Sequence, residues 1–256
     1  MTNINKSAFY TIFIVFIALA GCRNKTISVS DSFDNPGLSS IWSTDRMERQ
    51  SFEIQSKIVH NGTGAAKITL RTGDTHEDSV GMDKPTERDE LLEATRLVSI
   101  EGAEYEFGFS MFLPDTFLIS PVRLVIAQWK EFCVGDSCHN DSPIVALRYS
   151  SGILAISLQT GDHRSNLYET SDEIRNRWID FKFLLRFSRE QDGELIAYID
   201  GKEVVNYKGI TSYPESRGYT LKKNRYYFKM GLYRDIIPEP MCIYIDDYSK
   251  KEISLK

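Results

Sequence analysis

Histidine, cysteine and basic charge are all in short supply in this chain, and each shortage closes off a class of function. There are four histidines and four cysteines in 256 residues. Cys133 and Cys138 have only His139 close by, so no full set of thiol and imidazole ligands at short spacing is assembled for a metal. Acidic residues outnumber basic ones, for a net charge of −5, which makes nucleic acid a poor partner. A polyanionic sugar is not excluded, because a local basic cleft outweighs the total charge. Low-complexity segments and internal repeats are absent, and from Asp31 onward hardly any helical periodicity is found. What remains is enough apolar sequence, 41%, for one all-β domain.

Long hydrophobic runs are also missing. The longest uncharged, mostly apolar stretch, Ala8 to Ala20, follows Lys6 and is too short for a comfortable membrane span. It has the layout of a secretory signal. It ends in Leu19-Ala20-Gly21-Cys22, which resembles the bacterial lipobox and implies cleavage before Cys22 and lipid on that thiol. Arg23 rather than aspartate follows, so the resemblance implies an outer-membrane destination in the cell envelope. The expected organisation is a signal peptide over 1–21, a lipidated linker over 22–30 and one domain over 31–256. In an oxidising envelope Cys133 and Cys138 are expected to close a disulfide, while Cys242, in an apolar run, reads as a buried thiol.

What is present in quantity is alternation. Strands are expected at Phe52–Val59, Ala65–Leu70, Arg88–Glu93, Glu104–Leu113 and Val122–Lys130. Further strands are expected near Ile144–Tyr149, Ile153–Gln159 and Phe181–Phe187, with a last one at Cys242–Tyr248. Asp192-Gly193 and Asp200-Gly201 read as hairpin turns, and Ser171–Asn176 as a helical turn. About a dozen strands at this spacing predict two packed antiparallel sheets, a β-sandwich or concanavalin-like jelly roll with an open groove.

The segment Tyr226–Arg234 separates into two faces. Phe228, Met230 and Leu232 form a core stripe; Tyr227, Lys229, Gly231 and Tyr233 face the other way. On the Val122 strand, Gln128 and Lys130 share a face with Leu124 and Ile126, opposite Arg123, Val125, Ala127 and Trp129. Arg88 and Glu90 share one face of a third strand.

Glu87-Arg88-Asp89-Glu90-Leu91, Ala127-Gln128-Trp129-Lys130 and Tyr227 through Tyr233 together resemble the three signature strands of the jelly-roll polysaccharide lyases. Those include family 7 alginate lyases, family 20 glucuronan lyases and heparin lyase I-type enzymes. Phe33-Asp34, Trp42, Trp178-Ile179-Asp180-Phe181, Asp200-Gly201-Lys202 and Tyr244-Ile245-Asp246-Asp247 agree as well, over roughly residues 30–250.

The resemblance implies β-elimination on a uronic-acid polymer. Gln128 and Arg88 would neutralise the substrate carboxylate and hold the developing enolate-like charge. Tyr233 would act as acid and is one candidate for the base, since cations flanking a phenol favour its ionised form. Lys229, Tyr227 and Arg234 would bind substrate in the groove, with Arg123 and Arg148 as possible extensions of it. Glu90 would orient Arg88 or Lys229. Many alginate lyases carry histidine where this chain has Lys130. The base is therefore left among Tyr233, Lys130, His76 and His139, while His60 and His163 read as surface residues. No cofactor is expected; Asp246 and Asp247 offer oxygens that suit calcium, but strand neighbours face opposite ways. The expected partner is an acidic polysaccharide, bound by a monomer. A non-catalytic glycan-binding lipoprotein on the same fold is the alternative. A glycoside hydrolase would need paired carboxylates across the groove that the sequence does not offer.

Overall fold

The computed structural model describes residues 26–43, 47–75, 85–132 and 142–253. The strands in chain order are β1 (Ser28–Asp31), β2 (Trp42–Ser43), β3 (Phe52–Gln55), β4 (Ala65–Leu70), β5 (Thr86–Glu93) and β6 (Ser99–Ile100). There follow β7 (Glu104–Phe112), β8 (Leu124–Glu131), β9 (Val145–Ser150), β10 (Ile153–Leu158) and β11 (Ser165–Thr170). The chain continues through β12 (Trp178–Arg186), β13 (Gly193–Ile199), β14 (Lys202–Gly209), β15 (Arg225–Asp235) and β16 (Met241–Ile253).

They form two antiparallel sheets. One runs β14-β13-β12-β7-β16-β4-β3 with β1 on β16, the other β11-β10-β9-β8-β15-β5-β2 with β6 on β15. This is the expected jelly-roll sandwich. Ser151-Gly152 and Asp200-Gly201, all at positive φ, close the β9–β10 and β13–β14 hairpins as two-residue turns. Asp192-Gly193 does not make such a turn. Gly193 opens β13 after a longer loop, where the Asp192 carboxylate is held by Ser188 and Arg186. Nor is Ser171–Asn176 helical; its Arg175 bridges Leu113 instead.

Aromatic side chains from both sheets fill the middle. Trp129 of β8 lies 4.8 Å from Phe228 of β15 and 4.6 Å from Phe183 of β12, and Phe228 lies 5.5 Å from Phe107 of β7. All four are fully buried. Because side chains alternate along a strand, this cluster sets the outward set: Gln128 and Lys130 flank Trp129, and Tyr227 and Lys229 flank Phe228. Core packing and groove lining are therefore one decision on these two strands.

The alternation breaks once. Between β8 and β15 the register runs from Met230↔Ala127 to Tyr233↔Val125, and between β8 and β9 from Ala127↔Leu147 to Val125↔Arg148. These bulges reverse the faces at the start of β8. Leu124 and Ile126 pack in the core with Ala127 and Trp129, whereas Val125 stays out of that cluster. The simple two-residue period from Arg123 to Lys130 expected from sequence does not hold across this point. Gly231 sits at the break with φ +139°, and a Cβ there would stand 2.4 Å from the Asp89 carbonyl oxygen. Only glycine allows β15 to lie that close to β5.

Candidate active site

Strands from three distant parts of the chain lie side by side as β8, β15 and β5, in that order. The register sets Lys229 opposite Gln128, and Tyr233 opposite Arg88. Glu90 lies opposite Gly231, and its carboxylate reaches across β15 to Gln128 on the strand beyond. Glu90 Oε2 accepts from Lys229 Nζ at 2.8 Å, and Glu90 Oε1 accepts from the Gln128 amide. All three are nearly sealed from solvent, with Glu90 1% exposed, Gln128 3% and Lys229 4%. Glu90 thus holds Lys229, one of the two partners the sequence suggested, and Gln128 as well, and its two oxygens are taken up by these donors. One carboxylate fixing an amide and an ammonium cancels one buried charge with another and restricts the rotamers of both donors.

Four residues along β15, roughly 13 Å on, the Arg88 guanidinium carbon lies 4.6 Å from the centroid of the Tyr233 ring, and that of Arg123 lies 5.3 Å from it. Tyr233 is half-buried and shares its face with Glu90, because Arg88 and Glu90 are alternate residues of β5. The trough therefore holds Gln128, Lys229 and Arg88 with the phenol of Tyr233. Arg123 joins it against the face alternation assigned, because the β8 bulges intervene and because Asp235 grips its guanidinium at 2.6 Å. Lys130 and Tyr227 are opposed across β8 and β15, and the Tyr227 ring packs edge-on against Phe132 at 4.9 Å.

Arg234 is a correction. Next to Tyr233 in a strand, it points to the opposite face and is fully buried. There it donates to Glu87 through Nε at 3.1 Å and Nη2 at 2.9 Å, and to the Glu239 carbonyl. It anchors β15 to β5 from beneath and cannot bind a ligand in the groove. His60 is not a plain surface residue either. Its Nδ1 lies 2.8 Å from Asp247 and its Nε2 3.5 Å from Asp180, on the other sheet from Tyr233. The Asp246 carboxylate beside it is taken up by the backbone N–H groups of His60, Asn61 and Asp247. His76, His139, Cys22, Cys133 and Cys138 lie outside the described residues. Cys242 is a partly buried free thiol, its pKa pushed up by burial.

Beyond Arg88 and Arg123, β9 contributes Arg148, opposite Val125 and on the same face as Tyr233. Burial, then the like charges of Arg164 and Arg123, bring its pKa down to about 10. Arg164 escaped notice in the sequence because it stands in a loop, where alternation says nothing about direction.

The polysaccharide lyase family model matches residues 34–249. No curated protein matches the sequence. Among solved structures, the chain is similar to an endo-β-1,4-glucuronan lyase from the fungus Trichoderma reesei. The TM-score is 0.66 at 18% identity, covering 86% of this chain and 94% of that one. The alginate lyase Aly36B gives 0.60 at 13% identity over 90% and 98% of the two chains. The family 7 alginate lyase A1-II′ gives 0.57 at 15% identity over 81% and 86%. At these identities the structures establish the shared fold, while the family match spans nearly the whole described chain. On that match, the chain belongs to the polysaccharide lyase family.

Proposed function

We propose that this lyase cleaves a uronic-acid-containing polysaccharide by β-elimination, with Tyr233 as the proton-transfer group. The observation that supports this most is the shared face on which Glu90 fixes Gln128 and Lys229 while Arg88 covers the Tyr233 ring. The proton on C5 of a uronate is too weakly acidic to leave unless the neighbouring carboxylate is neutralised and the enolate-like charge is held by donors already in place. One N–H of the Gln128 amide is committed to Glu90, and the other is the donor for that carboxylate. Lys229 is paired with Glu90, and Arg88, which lies over the Tyr233 ring, supplies a neutralising cation beside the proton-transfer group. Tyr233 takes the C5 proton and a phenol O–H protonates the departing glycosidic oxygen at C4. The C5–H and C4–O bonds break, a C4–C5 double bond forms, and no redox partner is consumed.

Mixing the protein with glucuronan, alginate and heparin, and following the ultraviolet absorbance of the unsaturated ends, tests this reading. A rise that disappears in Tyr233→Phe is the expected result. No rise on any acidic polymer, with binding retained, would instead leave a glycan-binding protein on a lyase scaffold. The same reading holds the protein at a bacterial envelope through lipid on Cys22, so Cys22→Ser should move it from the membrane fraction to the soluble one.

A further inference from the structure

Alongside the reaction centre, β9, β10 and β11 carry a cleft of about 400 Å³ that none of the three signature strands builds alone. Arg123, Arg148 and Arg164 line it together, with Ile153, Asn166 and Glu169. Its charge is poorly balanced. Arg123 has Asp235. Arg148 donates through Nε to the Ser157 hydroxyl at 3.0 Å, and no carboxylate among the described residues pairs with it. Arg164 is exposed. The one carboxylate in the lining, Glu169, is engaged by the Asn166 amide at 2.5 Å. Three guanidiniums around one cleft repel one another, and after burial it is the charges of Arg164 and Arg123 that hold the Arg148 pKa down. An oxyanion placed between them would relieve that repulsion and accept charge-assisted, bidentate hydrogen bonds. Ile153, 40% exposed in the same cleft, offers an apolar surface of the kind that covers the C–H face of a sugar ring.

Position matters as much as charge. Arg148 is opposite Val125, and Val125 is opposite Tyr233, so the two lie two strand spacings apart, roughly 10 Å. A chain crossing the sheet from Tyr233 brings a neighbouring unit, not the reacting one, over Arg148.

Resting on the lyase reading above, we propose that the cleft is an anion-recognising subsite. Arg148 and Arg164 there bind the oxyanion substituent of a sugar unit displaced from the one at Tyr233. That makes charge at a second position, and not only at the reacting unit, a determinant of which polymers are cut. The substituent is a carboxylate in a polyuronate or a sulfate ester in a sulfated glycan; both present the same geometry to a guanidinium.

The test uses the full chain carrying Tyr233→Phe, so that bound oligosaccharides survive, with Arg148→Ala and Arg164→Ala added singly. Isothermal titration with oligouronates of six units, their carboxyl-reduced counterparts and a sulfated hexasaccharide reads the subsite directly. Arg148→Ala is expected to raise Kd about tenfold, the effect of losing one charge-assisted bond. Arg164→Ala should raise it by a smaller factor, and both should flatten the salt dependence. Carboxyl reduction should weaken the parent protein by more than Arg148→Ala does, because it also removes the carboxylate at the reacting unit, and should cost the Arg148→Ala variant less than it costs the parent. Whichever of the carboxylate and sulfate oligomers shows the larger Arg148→Ala effect identifies the substituent. With Tyr233 restored, the loss should fall mainly on KM rather than kcat. Arg164 is exposed, so its substitution does not put folding at stake even if Arg148→Ala proves unstable. Oligouronate binding by the parent that neither arginine affects would overturn the subsite while leaving the lyase reading intact. Failure of the parent to bind or cut any acidic polymer would overturn both.

Discussion

The outward faces of the two sheets use charge in opposite ways. On the β7–β12–β13–β14 side, cations and carboxylates are matched across neighbouring strands and lie in solvent. Lys182 is 3.8 Å from Glu106, Arg186 3.7 Å from Glu104 and Lys208 3.3 Å from Glu194. Such pairs contribute little, because water screens them and long side chains lose entropy in forming them. On the β8–β15–β5 side, charged groups are buried, shared and unevenly balanced: Glu90 serves two donors, and four arginines, Arg88, Arg123, Arg148 and Arg164, crowd around Tyr233 and its neighbouring cleft. One face has its charges cancelled in place. The other, among the described residues, leaves Arg148 and Arg164 without a paired carboxylate, a charge that an acidic ligand would complete.

Substitutions that strip the second face should therefore cost function out of proportion to stability. The largest effect is expected at Tyr233. Tyr233→Phe keeps the ring under Arg88 and Arg123 and removes only the hydroxyl. Its kcat should fall by about 10³-fold, within the range for loss of a general acid–base, with the melting temperature hardly changed. Initial rates of ultraviolet absorbance on a cleaved polymer, with a thermal melt alongside, check both halves. Glu90→Gln sharpens the comparison from below. It keeps the shape but leaves Lys229 without its carboxylate and loosens Gln128. A fall of about 10²-fold in kcat is expected, with a stability loss of about 3 kcal/mol for breaking a buried ion pair from one side. Denaturant unfolding and the same assay separate the two losses.

A third effect concerns the buried acids beneath the groove. Glu131 ends β8 pointing inward, and burial pushes its pKa up to about 8. One oxygen accepts from the Tyr213 N–H at 3.1 Å and from Ser212, while the other has no hydrogen-bond partner among the described residues. The folded protein keeps this proton up to about pH 8, whereas the unfolded chain releases it near 4.5. Stability is therefore highest below the unfolded value and falls as pH rises through that window. Asp89 adds to the trend, raised by burial and by the neighbouring Asp74. Denaturant unfolding at about pH 5 and about pH 8 should show a loss of several kcal/mol, about 3 of them from Glu131, and Glu131→Gln should remove that part.

How much of this was legible beforehand follows from where the signal resides. The three strands showed their faces because Trp129, Phe228, Met230 and Leu232 had to be inside, and alternation then exposed Gln128, Lys229 and Tyr233. Arg234 was misjudged although the same rule placed it: adjacency to Tyr233 means the opposite face, and Glu87, also buried, was its partner there. Arg123 extends the groove as expected, but strict alternation along its strand had set it on the core side. The β8 bulges are a tertiary feature, tied to the close approach at Gly231, and nothing local in Val122–Lys130 announces them. The Glu90 bridge was half visible: the lysine on the adjoining strand could be guessed, but the amide beyond it depends on a three-strand order that no single segment encodes.

The smallest expected effect completes the contrast. Lys182→Ala on the far sheet breaks the pair with Glu106, whose side chains are 49% and 40% exposed at a separation of 3.8 Å. A pair that open to water contributes less than about 0.5 kcal/mol, and neighbouring charges re-form part of it. Lys182 does not line the cleft, so kcat/KM on an acidic polymer should stay within twofold of the parent. If Lys182→Ala were instead to weaken polymer binding as Arg148→Ala is expected to, the positive field would be a property of the whole molecule. The contrast between the two faces would then carry no functional meaning. Measuring both variants at low and high ionic strength decides it, because a cleft-bound oxyanion keeps part of its arginine dependence where a diffuse field is screened away.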